Sequence, residues 1–330
     1  MPLHDINYKH WEGVHLGVWE RRWVIAKNGL TACIQNKWMW NIIVLCWGLA
    51  LVGTAFLFVV GQLLVPDSVV VKWVSTFNPS FQNFFNMLIS WLNDHPEISV
   101  GVTQNVLFYF FCSFLMRVSI FALGLAIPLL ITRDLASNAI IIYSSKAVSR
   151  FDYLLGKFTV AFGLLTLTWL GPVCATWFVG NLLAPHWQFF WHARGALGNI
   201  LIYGLTSMAI LSILALGVSS TGAKEKATMA LWFTWWILGG VIQPIALHTK
   251  PWLQHLGLNF NFTEIALFTF RPGEKINTAK ESIPILSNLL PTGNDVMSTL
   301  DTPKITGAAL ALAVMLAAAA WMIHKRVKPE

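Results

Sequence analysis

Apolar residues gather in six long runs: Asn41–Val65, Asn105–Thr132, Tyr153–Leu183, Ala196–Ser219, Thr228–Leu247 and Ile305–Ile323. As a helix, each is long enough to cross about 30 Å of hydrocarbon. Only Arg117 and Lys157 are charged within them, and Lys157 lies at an edge. Trp38, Trp40, Trp187, Trp191, Trp252 and Trp321 flank the runs, where an interfacial aromatic belt belongs. The pattern predicts an all-α polytopic membrane protein with one transmembrane domain over residues 1–330. Residues 1–40 form an amphipathic entry helix, 41–323 a six-span bundle and 324–330 a tail.

The stretches between the runs are patterned too. From Trp11 to Trp38, apolar residues recur at helical spacing (Trp19, Trp23, Ala26, Leu30, Ile34, Trp38), with Arg21, Arg22, Lys27 and Lys37 between them. This predicts an amphipathic helix, either lying in the membrane plane with its basic groups toward lipid phosphates or packed on a soluble partner. Asn78 and Pro79 suit a helix start, with Phe81, Phe84, Phe85, Leu88 and Leu92 on one face. The segment from about Lys250 to Lys304 is too long for an idle connection. Its part Phe260–Phe270, apolar around Glu264, is suited to dipping into the membrane. Asn261-Phe262-Thr263 matches a glycosylation triplet. Ala309, Ala313 and Ala317 place one small residue per turn on the last run, either a close-packing face or plain filler.

Only 11% of the 330 residues are charged and the net charge is +7. The basic residues sit beside apolar runs, which points to topology signals and anionic lipid and away from nucleic acid. With the N-terminus inside, fourteen Lys and Arg fall on inner segments and seven on outer ones, Arg117 apart. Both termini are therefore expected in the cytoplasm. Cys33, Cys46, Cys112 and Cys174 are expected to be free thiols, and no cleavable signal is apparent at the N-terminus. These features fit a bacterial inner membrane.

No phosphate-binding G-x-x-x-x-G-K-[ST] loop is present, since Gly156-Lys157-Phe158 lacks the hydroxyl and the earlier glycine. No H-E-x-x-H or paired-cysteine motif occurs, and the spacings His186/His192 and His248/His255 do not fix a metal pair. The chain is expected not to be an enzyme and to hold no cofactor or metal. Arg117, a charge well inside a run, must face protein or a water-filled cavity. It is a candidate contact for an anionic or polar substrate group, with Glu264 in reach only if the outer segment folds back. The other reading is structural, with Arg117 bonded to backbone carbonyls.

The most specific stretch is 133–157, RDLASNAIIIYSSKAVSRFDYLLGK. It predicts a short helix, a turn around Ser145–Ser149 and a new helix capped by Ser149, with Asp152 as the capping-box acid. The run Ile140, Ile141, Ile142 and Tyr143 must bury against lipid or a partner. The stretch resembles the cytoplasmic signature of the ABC type-2 permeases, membrane subunits of bacterial ABC exporters. Asp134, Ile140–Tyr143, Ser145-Lys146-Ala147, Ser149-Arg150, Tyr153-Leu154 and Gly156-Lys157 match in order, with Ala147 where proline is usual and Asn138 where glycine is usual.

The resemblance implies a homodimer, or two similar permeases, joined to two copies of a cytoplasmic ABC ATPase that carries ATP and magnesium. It also implies that Asp134, Ile140, Ile141, Ile142, Tyr143, Lys146, Arg150 and Asp152 belong to a coupling segment docked on that ATPase. A periplasmic partner is compatible with some members. Two other function classes stay open: a non-catalytic structural subunit of another membrane complex, and an integral-membrane enzyme.

Overall fold

The computed structural model describes residues 17–63, 65, 68–77, 90, 95–139, 149–184, 186–222, 224–282 and 303–327. Among them the chain is helical throughout, with no strand. The helices are α1 (Val18–Ile34), α2 (Lys37–Leu63), α3 (Val69–Phe77), α4 (Pro96–Ile127), α5 (Arg133–Ala136), α6 (Arg150–Leu165), α7 (Gly171–Leu182), α8 (Gln188–Ser219), α9 (Glu225–His248), α10 (Leu258–Phe270), α11 (Pro272–Ser282) and α12 (Ile305–Arg326). Six helical stretches are long and apolar enough to cross a membrane: Lys37–Gln62, Glu97–Ala136, Arg150–Leu182, Phe189–Ser219, Glu225–Ala246 and Ile305–Arg326. All six apolar runs find their helix. The chain is an all-α polytopic membrane protein. The helix expected around Phe81–Leu92, with its Asn78 cap, lies mostly outside the described residues.

The spans alternate in direction. One end of the bundle, here called basal, gathers the start of α2, the α4–α5 junction, the starts of α6 and α9, and the ends of α8 and α12. Two spans contain a π-helical turn, at Pro128–Thr132 between α4 and α5 and at Thr166–Leu170 between α6 and α7. A proline lies in or just after each turn, Pro128 and Pro172, and proline breaks the regular backbone ladder. Neighbouring helices use the loosened backbone groups. Ser219 Oγ accepts the N–H groups of Ile131 (2.8 Å) and Thr132 (3.1 Å) and donates to Ile127 O (2.7 Å). At the second turn Trp47 Nε1 donates to Leu167 O (3.1 Å), and the Ser119 and Thr168 hydroxyls meet at 2.9 Å.

The N-terminal helix packs lengthwise on α6. Arg22 pairs with Asp152, Ile25 covers Gly156, and Gly29 faces Val160, so the two helices run parallel in step. Glycine is needed at both crossings: a Cβ on Gly156 would stand 2.8 Å from Ile25 Cγ2, and one on Gly29 2.5 Å from Val160 Cγ2. The expected apolar face of α1 therefore splits. Ala26 is buried, Leu30 and Ile34 pack on the core, and Trp19 and Trp23 point outward with Lys27.

On α12 the small-residue face is displaced from the expected one. Ala309, Ala313 and Ala317 are exposed; the packed face is Ala308, Leu312 and Ala319, with Ala319 against Gly217 of α8. The two small residues let those backbones approach closely.

The segment after α9 folds back and crosses the bundle. At its start Gly257 lies on Gly239 of α9, where a Cβ on Gly239 would be 2.6 Å from Gly257 Cα. Trp235 Nε1 donates to Leu256 O (3.1 Å) and Trp236 Nε1 to Asn259 Oδ1 (3.0 Å). Midway along α10, the Glu264 carboxylate accepts the N–H of Lys304 at the start of α12. At the far end Phe270 packs edge-on against Tyr109 of α4 (6.4 Å) and Tyr203 of α8 (5.9 Å). Thus α10 is a crossbar over four spans, and its Phe260, Phe262, Ala266 and Leu267 are buried. Asn261 of the glycosylation triplet is buried as well and bonded to His255, so it is structural.

Candidate functional site

Residues 133–157 connect the second and third spans, and both described ends of the stretch are anchored. Thr132 is held by Ser219. Arg133 then reaches Glu225 at the start of α9, with Nε to Oε1 at 3.0 Å. Both side chains are about half exposed, so this pair adds about 0–1 kcal/mol. Asp134 turns inward, meeting Lys157 Nζ at 2.7 Å and accepting the Tyr153 hydroxyl at 2.7 Å. Lys157 also donates to Leu129 O (3.2 Å) and lies 5.7 Å from the Tyr153 ring. The Lys157 side chain is only 7% exposed. A buried ammonium needs such partners, and removing one of them costs about 3–5 kcal/mol.

The chain then turns at Ser137-Asn138, and Asn138 takes the left-handed conformation (φ 55°). Asparagine is among the few non-glycine residues that visit this region readily. Residues 140–148 lie outside the described set, so Ile140, Ile141, Ile142, Tyr143 and Lys146 receive no placement.

At the far side Ser149 caps α6 as expected: its Oγ accepts Asp152 N–H (3.1 Å) and donates to Asp152 Oδ2 (2.5 Å). Asp152 is also bound by Arg22 of α1, Nε to Oδ1 at 2.6 Å. Arg150 donates to the carbonyls of Ile323 and His324, both at 2.9 Å, in the last turn of α12. Ile323 O also accepts the capping N–H of Val327, and both carbonyls lie at the negative end of the helix dipole, so a guanidinium suits them.

Asp134, Arg150 and Asp152, expected as a polar rim around a docked partner, are therefore committed within the chain. Together with Arg133, Lys157 and Ser219 they tie the segment to α1, α6, α8, α9 and α12. In the sequence Lys157 stands out as a charge at the edge of an apolar run and Tyr153 as part of the matched motif. Their joint contact with Asp134 crosses a turn, where no periodicity applies.

Beneath this cluster sits Cys33 of α1, fully buried. Burial pushes its thiol up to about 11, opposed by the nearby Lys157 charge. It is protonated and inert at neutral pH. All four cysteines are free thiols.

The second candidate region is the surround of Arg117 and Glu264. Arg117 and Glu264 are not among the ion pairs formed by the described residues. Glu264 is buried under α10 and holds Lys304 N–H. Within this chain Arg117 is exposed on α4. Its position follows from helical phase, because Leu115 and Met116 take the core-facing places.

At the end of the bundle opposite the basal cluster, besides the Glu264–Lys304 tie, the side-chain ties between spans are neutral. Gln104 Nε2 donates to Asn181 Oδ1 (2.6 Å), Asn199 Nδ2 to Asn105 Oδ1 (2.7 Å) and Trp177 Nε1 to Ala193 O (3.2 Å). Among the described residues no group of three or more His, Cys, Asp or Glu is placed to hold a metal ion. Compared with the models of known protein families and with characterised proteins, the chain matches none.

Proposed function

We propose that this chain is the membrane-spanning subunit of a transporter driven by a separate ATPase. It would serve as the translocation path or as a lever that carries force across the membrane. The observation that carries the reading is the anchoring of segment 133–157. A helix-turn segment with an apolar run at 140–143 is fastened at both ends to four helices through Arg133–Glu225, Asp134–Lys157, Arg150–α12 and Asp152–Arg22. A partner bound to that segment would move those helix ends together. The resemblance of the same residues to the coupling stretch of ABC type-2 permeases supports the reading and names the partner class.

In this scheme the ATPase supplies the chemistry, and the chain itself neither binds nor hydrolyses ATP. The full-length chain purified from its native membrane should carry with it a soluble subunit with a G-x-x-x-x-G-K-[ST] loop and vanadate-sensitive ATPase activity. Purification of an intact chain that never brings such a subunit, together with stoichiometric ATP binding by the chain alone, would overturn the proposal.

A further inference from the structure

One face of α8 looks out of the bundle from the first turn onward. Trp187, just before the helix, is followed by Trp191, Arg194, Gly198 and Ile202. The spacings of four, three, four and four keep them on one stripe. Trp187, Trp191, Arg194 and Ile202 are exposed and Gly198 is half-buried. Arg194 is the only Lys, Arg, Asp or Glu in the helix, and it forms no ion pair among the described residues. Its guanidinium lies over the Trp191 ring, 4.0 Å from the centroid. Stacking uses one face of the planar group and leaves N–H donors in its edge free.

The depth of this pair suits a lipid headgroup. The crossing stretch Phe189–Ser219 has 31 residues, which is about 46 Å of helix against about 30 Å of hydrocarbon. The uninterrupted apolar run begins only at Ala196, after Arg194. Helical side chains lean toward the N-terminus of their helix, and the contact with Trp191 shows Arg194 doing so, toward the interface that Trp187 and Trp191 mark.

On the hydrocarbon side of the pair the surface drops. A Cβ added at Gly195 or at Gly198 would meet nothing within 4 Å. Gly204 on the packed side of the same helix differs, because a Cβ there would stand 2.7 Å from Leu170 Cδ1. Glycine weakens a helix interior, and at 195 and 198 no other helix of the chain comes close enough to use the space. The two glycines leave a shallow hollow between Trp191 and Ile202.

We propose that this face holds a membrane lipid with an anionic phosphate headgroup, in the leaflet at the end opposite the basal cluster. The phosphate meets the free edge of Arg194 at the level of Trp191. An acyl chain lies in the hollow at Gly195 and Gly198 and continues along Ile202. A headgroup of net negative charge fits because the stripe offers one unpaired cation and α8 has no carboxylate; a choline would bring a second cation beside Arg194.

The test is photolabelling of the full-length protein in vesicles. Phosphatidylglycerol and phosphatidylcholine carry the same diazirine-bearing acyl chain, and labelled peptides are read by mass spectrometry. In wild type, phosphatidylglycerol should label α8 around Ile202 about fivefold more than phosphatidylcholine, the contribution of one arginine at an anionic surface. At Leu51 of α2, exposed in mid-span, the two lipids should label equally. Arg194→Gln should remove the preference on α8, and Arg194→Lys should keep most of it. Gly198→Leu fills the hollow and should lower labelling there by both lipids. Equal labelling of α8 in wild type, a preference that survives Arg194→Gln, or full labelling in Gly198→Leu overturns the proposal. Loss of the preference in millimolar inorganic phosphate also overturns it, in favour of a free-anion site. Absence of labelling on α8, with a disulfide joining two Gly198→Cys chains, overturns it in favour of a second copy.

Discussion

The two ends of the bundle are held together by different chemistry. At the basal end each side-chain tie that fixes segment 133–157 to α1, α6, α9 and α12 involves a charge, and the ties converge on that one segment. At the opposite end three ties are neutral, made by amides and an indole, and a fourth, Glu264 to the Lys304 N–H, is charged, but each joins only one pair of helices. Neutral pairs hold geometry locally. A buried ammonium held by a carboxylate is costly to disturb at either partner. The contrast makes the basal end a coupled unit and the other end a set of independent clasps.

The largest expected effect is at the centre of that unit. Lys157→Met leaves the Asp134 carboxylate without its buried partner and should destabilise by about 3–5 kcal/mol. Asp134→Asn in the same chain should recover most of this, because the uncompensated charge is gone. Thermal unfolding of the single and double variants in detergent measures both. Equal loss in the two would mean that the pair does not act as a unit.

Next comes the seat of α1. Gly156→Val pushes a side chain into Ile25 and should cost about 1–3 kcal/mol of packing. Cys33 reports on it directly. With its thiol at about 11 and fully buried, it should resist maleimide at pH 7 in wild type. In the valine variant it should react, as α1 lifts from α6. A Cys33 that stays unreactive would show that α1 is held elsewhere.

Ser219→Ala removes the hydroxyl that satisfies the Ile131 and Thr132 N–H groups and should cost about 1–3 kcal/mol. Gln104→Ala, at the opposite end, leaves Asn181 partly unpaired and should cost a similar amount or less, since Asn181 keeps Trp177 O. The comparison sharpens if the Ser219 change also disturbs maleimide protection at Cys33 while the Gln104 change does not. Arg133→Ala, in an exposed pair, should shift stability by no more than about 1 kcal/mol.

Much of this architecture is legible in the sequence because hydrocarbon thickness and helical period leave few choices. The six spans follow from uninterrupted apolar length, and the Ser149 cap from a hydroxyl three residues before an acid. The rest depends on contacts between distant residues. Nothing in the spacing of Asp134 and Lys157 announces their pairing across a turn. The phase of α12 could not be chosen by alanine content, because small residues occur on two sides of it. The cost of a charge in lipid says that Arg117 must meet protein or water, but not its direction on α4, which the packing of Leu115 and Met116 sets. The π-helical turns had a signal in Pro128 and Pro172, but their partners Ser219 and Trp47 come from other helices.

The central claim is that segment 133–157 is where a driving ATPase grips the bundle. The most direct measurement is the affinity of the co-purifying ATPase subunit for the full-length chain, compared between wild type, Ile141→Ala with Ile142→Ala, and Lys146→Ala. Apolar anchors covered by a partner should contribute roughly 2–5 kcal/mol each, and a solvated charge about 1 kcal/mol or less. The account predicts that the double alanine variant loses the ATPase while inserting normally, and that Lys146→Ala binds it nearly as wild type does. Undiminished binding by the double alanine variant would contradict it.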